Sequence, residues 1–309
     1  MRRVLITGAS GANGWAVLNH LLERGWEVAV LLRDPRTAWR IAHLLNRVTI
    51  IRGDMENLLA VRAVLERFAA DTVVHLAWDG VTASSRDALD QVRNLSNTIN
   101  LLKLTISSGV KHFIGFGSQA EYGRYPGRIN EGILVRPDTL YGAVKLSTCT
   151  IAERIAAASG IRFTWLRLFS SYGPRDNSKF LLPHLIATLL RGEKPALTAG
   201  EQIWDYIYFN DAAHAVAAVV ESEASGTFNL GGGVARRLRD IICTVRDLVN
   251  PQLPLGFGEI AYRPDQVMHL EADVSALSRA TGWRPHTDLD TGLSETVKWY
   301  RDNMPGSLL

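Results

Sequence analysis

Cysteine is almost missing from this chain: Cys149 and Cys243 are the only two in 309 residues, and they stand far apart. That excludes a disulfide framework and a cysteine-based metal knuckle, marks neither thiol as a nucleophile, and fits a reducing compartment. No metal site is expected. Apolar runs are also short, none approaching the roughly 20 residues that cross a bilayer. Met1-Arg2-Arg3 leads at once into a strand-like segment, without the apolar stretch and small-residue cleavage site of a secretory leader, so a cytoplasmic protein without membrane contact is expected. Charge of one sign is lacking as well. The 34 Lys and Arg against 31 Asp and Glu leave +3, with arginines scattered among acids, so no polybasic tract points to nucleic acid or anionic lipid.

What is present is an alternation. Strand-like apolar runs at Arg3 to Thr7, Glu27 to Leu32, Val48 to Arg52, Thr72 to Ala77, His112 to Gly117 and Arg162 to Leu168 are separated by helical patterns. These include Leu58 to Ala69, Leu89 to Ser108 and Tyr141 to Ser159. Continuous apolar strands alternating with helices predict an α/β fold built on a doubly wound parallel sheet. Beyond Gly173 the prolines Pro174, Pro183, Pro195, Pro251, Pro254, Pro264 and Pro285 divide shorter elements, which predicts a smaller C-terminal α/β lobe. The expected division is residues 1–172 and 173–309, with short strands near 204–230 able to return to the first lobe. A lobe added beyond the carboxyl ends of the strands would close over a second substrate.

The first strand-like run ends in Gly8-Ala-Ser-Gly11-Ala-Asn13-Gly14 and leads into a helical pattern from Trp15. This is the strand-turn-helix setting of a Rossmann dinucleotide fingerprint. Gly8 permits the tight turn, Gly11 the approach of a pyrophosphate, and Gly14 close packing of helix on strand, with the anion at the helix N-terminus. At the end of the second strand, where an acid would accept from a ribose 2'-hydroxyl of NAD, stands Leu32, followed by Arg33 and Asp34. Arg33 offers a planar fork to a 2'-phosphate, so NADP is favoured, with NAD the alternative. In the opposing register Asp34 turns inward and Arg33 is surface charge. After the third strand, Asp54, followed by Met55, is placed to accept from an adenine amino group, or is a turn aspartate.

Tyr141 and Lys145 are four residues apart, which puts both on one face of a helix. An unperturbed phenol with a pKa of about 10 is a poor base at neutral pH; an adjacent ammonium and an oxidised nicotinamide both shift it towards the working range. Ser118 ends a strand and is suited to bind the same substrate oxygen.

Taken together these residues resemble the extended short-chain dehydrogenase/reductases of the epimerase/dehydratase group, which act on nucleotide sugars. The resemblance spans nearly the whole chain and includes His75-Leu76-Ala77-Trp78, Asn94, Ser118-Gln-Ala-Glu-Tyr-Gly123, Tyr172-Gly-Pro-Arg175, Trp204-Asp-Tyr-Ile-Tyr-Phe-Asn-Asp211, and Asp273 before Gly282-Trp-Arg-Pro285. It implies Tyr141 as general acid/base, Lys145 holding the nicotinamide ribose and lowering the tyrosine pKa, and Ser118 orienting the sugar C4 oxygen. Gly8, Gly11, Asn13, Gly14, Arg33, Asp54, Met55, Leu76, Ala77 and Asn94 fall on the cofactor side, while Asn177, Trp204 and Arg263 fall on the substrate side. It also implies a homodimer paired through the helices at Leu89 to Ser108 and Tyr141 to Ser159.

Departures from the group's pattern narrow the chemistry. Gln119 and Ala120 replace the Asp-Glu pair that sugar 4,6-dehydratases use for water loss. Glu121 lies one residue further on, as a satisfied polar group or an acid. Ser170 and Trp204 stand where an asparagine and an arginine commonly meet the sugar diphosphate. The expected activity is NADPH-dependent reduction of a nucleotide-diphospho-4-keto-6-deoxysugar at C4. The alternatives are a nucleotide-sugar 4-epimerase with retained NAD and, less favoured because Ser118, Tyr141 and Lys145 are all kept, a non-catalytic NADP redox sensor.

Overall fold

A computed structural model describes residues 2–303. Along the chain the strands are β1 (Arg3–Thr7), β2 (Glu27–Leu32), β3 (Thr49–Arg52), β4 (Thr72–His75), β5 (His112–Ser118), β6 (Arg128–Ile129), β7 (Arg162–Leu168), β8 (Ser170–Tyr172), β9 (Ala196–Leu197), β10 (Ile203–Tyr208), β11 (Gly226–Leu230), β12 (Ala235–Arg237), β13 (Gly256–Phe257) and β14 (His269–Ala272). The helices are α1 (Ala12–Glu23), α2 (Arg62–Phe68), α3 (Gln91–Ser107), α4 (Leu140–Ala158), α5 (Leu181–Leu190), α6 (Phe209–Ser222), α7 (Leu238–Val249), α8 (Ser275–Thr281) and α9 (Leu289–Asn303).

Seven strands form one sheet in the order β11-β7-β5-β4-β1-β2-β3, every neighbouring pair parallel. This is the doubly wound Rossmann arrangement. Period-two alternation sorts each strand between two cores. Val4 and Ile6 of β1 pack with α1 and α6 on one face, and Leu5 packs with α2, α3 and α4 on the other. All seven residues of β5 are buried, as expected for a strand covered on both faces.

The second layer is a mixed sheet of β12-β10-β14-β6, with β8 also beside β10. Its helical cover is α5, α7 and α9, packed around Leu185, Ile241, Val245 and Leu293. A cut at residue 172 leaves β6 with the first segment and β11 with the second. In space β6 pairs with β14, and β11 pairs with β7 of the large sheet. Acids of the β10 region act as backbone staples. Asp205 accepts from Gly232, Gly233 and Ala272 amides, and Asp211 from those of His286 and Thr287. The helix expected over Leu58 to Ala69 is shorter. A 3₁₀ segment, Met55–Val61, is interrupted at Asn57, and α2 begins only at Arg62 and stops where Ala69 turns left-handed. No helix among the described residues is long and apolar enough to cross a membrane.

Two buried histidines make stability depend on pH. His75 bridges the hydroxyls of Thr7 (2.7 Å) and Thr98 (2.9 Å), and His112 meets Thr164 at 2.8 Å. Burial holds their pKa values down, at about 3 and about 4. In the unfolded chain they titrate near the ordinary value of about 6.5, so between pH 6.5 and 4 the unfolded state binds more protons. Stability is fully present above pH 6.5 and falls below it, by up to about 1.4 kcal/mol per pH unit for each histidine. Urea midpoints at pH 7 and pH 5 check this: the midpoint at pH 5 is expected to be clearly lower, and equal midpoints would contradict it.

Candidate active site

The glycine turn connects β1 to α1 at the carboxyl edge of the large sheet. Gly8 has φ +77°, and a Cβ there would lie 2.5 Å from the Ala77 amide nitrogen, so neither the conformation nor the space admits a side chain. A Cβ on Gly14 would lie 2.1 Å from the Gly8 carbonyl, which is why α1 can press against the turn. Gly11 is different: it is exposed and its space is open apart from the Gly8 oxygen. It N-caps α1 with no side-chain cap and no acid in the first turn, so the helix presents unsatisfied amides and positive potential to an anion.

A cavity of about 300 Å³ opens beside this turn. Gly8, Gly11, Arg33, Asp54, Met55, Leu76, Ala77 and Asn94 line it, gathered from the ends of β1, β2, β3 and β4 and from α3. Asn13, Gly14 and Lys145 do not. Asn13 commits its amide nitrogen to Ser171 Oγ (3.0 Å), while its buried Oδ1 has no partner. The turn that excludes side chains, the uncapped helix, the orphaned Asn13 oxygen and the cavity beside them fit a dinucleotide. Asn94 has a supporting role: its amide exchanges hydrogen bonds with the Asp79 backbone and also donates to Gln91, pinning the loop after β4. Asp54 accepts from the Glu56 amide at 3.0 Å while remaining on the cavity wall.

At the end of β2 both Arg33 and Asp34 lie on the cavity wall. Leu32 is buried and pairs with Arg52 across the sheet. Asp34 is engaged by Arg36, whose Nε and Nη2 lie 2.9–3.1 Å from its oxygens and whose amide it also accepts. These bonds from Arg36 hold the Asp34 pKa below the usual carboxylate range. The Arg33 side chain is 71% exposed at the rim, with a long 3.9 Å approach to Asp79.

Tyr141 and Lys145 occupy the first turns of α4, which Thr139 caps through the Gly142 amide (3.2 Å). Both side chains are buried. Burial raises the Tyr141 pKa, opposed by a hydrogen bond from Ser118 and the charge of Arg86. Arg86 lies over the phenol ring at 5.5 Å, and its carbonyl accepts the Tyr141 amide at 2.7 Å. Lys145 has its own partners. Its ammonium donates to the Phe116 carbonyl (2.5 Å) and faces the Trp78 ring 3.5 Å from the centroid, rather than sitting at the phenol oxygen. Burial pushes its pKa down to about 7.

These features can be set beside known proteins. The profile of the NAD dependent epimerase/dehydratase family matches residues 4–231. The chain belongs to that family. The dTDP-glucose 4,6-dehydratase of Salmonella typhimurium is 25% identical, the alignment covering 97% of this chain and 93% of that protein. The UDP-glucuronate 4-epimerase of Thermodesulfobacterium geofontis is 26% identical over 97% of this chain and 96% of its own length. Among solved structures, the UDP-glucose 4-epimerase of Thermus thermophilus in complex with NAD superposes with a TM-score of 0.87 and 26% identity, covering 98% of this chain and 100% of that one.

Within this epimerase/dehydratase chain, Ser118 ends β5 and its Oγ accepts from the Ala120 amide at 3.2 Å. Glu121 is wholly buried and fully used. Its Oε1 accepts from the Ser118 amide (2.9 Å) and Trp165 Nε1 (2.8 Å), and its Oε2 from Arg167 Nε (2.7 Å). It therefore fixes the strand end that carries Ser118. Ser170 and Trp204 satisfy each other, the indole donating to the hydroxyl at 2.8 Å. Asn177 accepts from the Lys179 amide at 3.0 Å in a local turn, and Arg263 is exposed with Asp265 at 3.7 Å. Arg86 and Gln91, which shape the tyrosine's surroundings, carry no local sequence signal.

Proposed function

We propose that this protein reduces a nucleotide-diphospho-4-keto-6-deoxysugar at C4 with NADPH. The observation that carries the choice of reductase is the rim of the cavity. Leu32 is buried, Asp34 on the cavity wall is engaged by Arg36, and Arg33 is exposed with only a long 3.9 Å approach to Asp79, which leaves its fork suited to a 2'-phosphate. A dissociable phosphorylated cofactor goes with net reduction.

When bound, the nicotinamide supplies the hydride that C4 takes up. The chain's own residues handle the oxygen. Ser118 orients the keto oxygen, and Tyr141, kept protonated by burial, gives its proton as the C4 oxygen gains negative charge. In the protonated state Lys145 binds the nicotinamide ribose hydroxyls. Gln119 and Ala120 hold no acid for loss of water, and Glu121 is committed to Arg167, Trp165 and the Ser118 amide. These features disfavour 4,6-dehydration despite the dehydratases among the relatives. Arg263 and Asn177 are proposed to face the diphosphate, and Trp204 the base or sugar. A 4-epimerase with retained NAD is the second reading, favoured by the likeness to the Thermus thermophilus epimerase bound to NAD.

The reaction is tested by mixing the protein with NADPH and a panel of nucleotide-linked 4-keto-6-deoxyhexoses. Stoichiometric loss of nicotinamide absorbance is expected. Formation of sugar epimers from nucleotide hexoses with no net loss would establish the epimerase instead. The cofactor assignment is tested by Arg33→Ser, which is expected to weaken NADPH binding about 10- to 100-fold, as loss of a bidentate charged contact does, with NADH binding unchanged. Equal weakening for both cofactors would contradict a 2'-phosphate site.

A further inference from the structure

Trp78 touches both residues of the proposed proton-handling pair. Its ring lies face-on to the Lys145 ammonium at 3.5 Å and edge-on to Tyr141, with centroids 6.1 Å apart. The indole is held from behind. Nε1 donates to Gln91 Oε1 at 2.9 Å, and Gln91, itself buried, donates to the carbonyls of Gly80 (2.7 Å) and Ser85 (3.0 Å). Trp78 also lines the dinucleotide cavity, which Lys145 does not.

A lysine ammonium has three donors to place. Lys145, 4% exposed, uses the Phe116 carbonyl and the Trp78 π face. Other groups facing it leave few alternatives. From the turn after β5, Glu121 attracts it but is saturated by Arg167, Trp165 and the Ser118 amide. From β4, His75 is neutral at working pH. From its own helix, Tyr141 is protonated, and from β7 the apolar face of Trp165 lies 5.7 Å away.

We propose that Trp78 is a positioning residue: pinned by Gln91, its indole screens Lys145 from water and directs its ammonium to the Phe116 carbonyl. This rests on reading Tyr141 and Lys145 as the catalytic pair, but its test does not need turnover. The sequence has six lysines, so [ε-¹³C]lysine labelling gives few signals, and Lys145→Arg assigns the one of interest. In the full-length protein without cofactor, Lys145 is expected to titrate near pH 7. In Trp78→Leu hydration of the ammonium outweighs the lost cation–π contact, and the midpoint should rise by about two pH units towards the ordinary lysine value. Trp78→Phe keeps a ring and most of the wall, and should shift the midpoint by less than about one unit; it serves as the folded control if the leucine variant is unstable.

A Lys145 midpoint in Trp78→Leu within about 0.3 unit of the wild type, or lower, would overturn the proposal. So would a wild-type midpoint at the ordinary lysine value, or a shift as large in Trp78→Phe as in Trp78→Leu. A separate run of Tyr141→Phe and Lys145→Met in the NADPH assay reports on the catalytic reading itself, so the two failures are distinguishable.

Discussion

Tyr141→Phe is expected to lower turnover by about 100- to 10,000-fold while leaving NADPH affinity within about twofold, the range for removal of a positioned proton donor. The phenol is buried and its proton is retained by desolvation, against the opposing influence of Ser118 and Arg86. The substitution removes one oxygen and leaves the ring in its edge-on contact with Trp78. Steady-state rates together with isothermal titration of NADPH check it. A variant that still turns over within tenfold of the wild type would remove Tyr141 from the chemistry. A parallel loss of cofactor affinity would show that the hydroxyl serves cofactor binding rather than proton transfer.

Glu121→Ala is expected to cost about 3 to 5 kcal/mol of stability, the usual cost of stranding a buried charge. Four groups depend on this carboxylate. Arg167, 8% exposed at its side chain, loses its ion pair, and the Ser118 amide and Trp165 Nε1 lose their acceptor. The fourth is the Ser118 hydroxyl, whose strand end is no longer held by the reciprocal cap that Ser118 and Glu121 form. Urea denaturation measures the loss, and a change below about 1 kcal/mol would contradict the structural role. Glu121→Gln separates structure from chemistry. It should keep turnover within about tenfold of the wild type at a temperature where it is folded, whereas a proton-transferring Glu121 would lose as much as Tyr141→Phe.

Much of the fold could be read from local pattern because its physics is local. The strands of the large sheet are buried on both faces and appear as continuous apolar runs, and the glycine spacing answers to close approaches of 2.5 Å at Gly8 and 2.1 Å at Gly14. The pairing of Tyr141 with Lys145 on one helical face follows from the turn of α4. The direction of the Lys145 ammonium does not, because it is decided by the carbonyl of Phe116, 29 positions away, and by an aromatic ring from another segment. Arg86 and Gln91 belong to the loop and helix that follow β4, and reach Tyr141 and Trp78 only through the tertiary fold. The acid at Glu121 illustrates the same limit: its satisfaction comes from Trp165 and Arg167, 44 and 46 positions away, and no spacing rule near residue 121 foretells it. Nor does the pattern over Leu58 to Ala69 foretell that the chain stays in a 3₁₀ segment to Val61 and that α2 begins only at Arg62.

The mutual bond of Trp204 and Ser170 also gives two unusual residues a joint reason, since the indole N–H and the hydroxyl satisfy one another between two cores. What they present to a substrate is a ring in place of a charge.

At the centre of the proposed reaction, hydride passes between nicotinamide C4 and a sugar C4 beside Tyr141. The most direct measurement supplies NADPH carrying deuterium at both nicotinamide C4 positions together with the nucleotide-linked 4-keto sugar that consumes it, and reads the product by mass and by NMR. One deuterium per product molecule is expected, at sugar C4, with Tyr141→Phe forming that product about 100- to 10,000-fold more slowly. Deuterium at another carbon, or a product formed with none, would contradict this transfer.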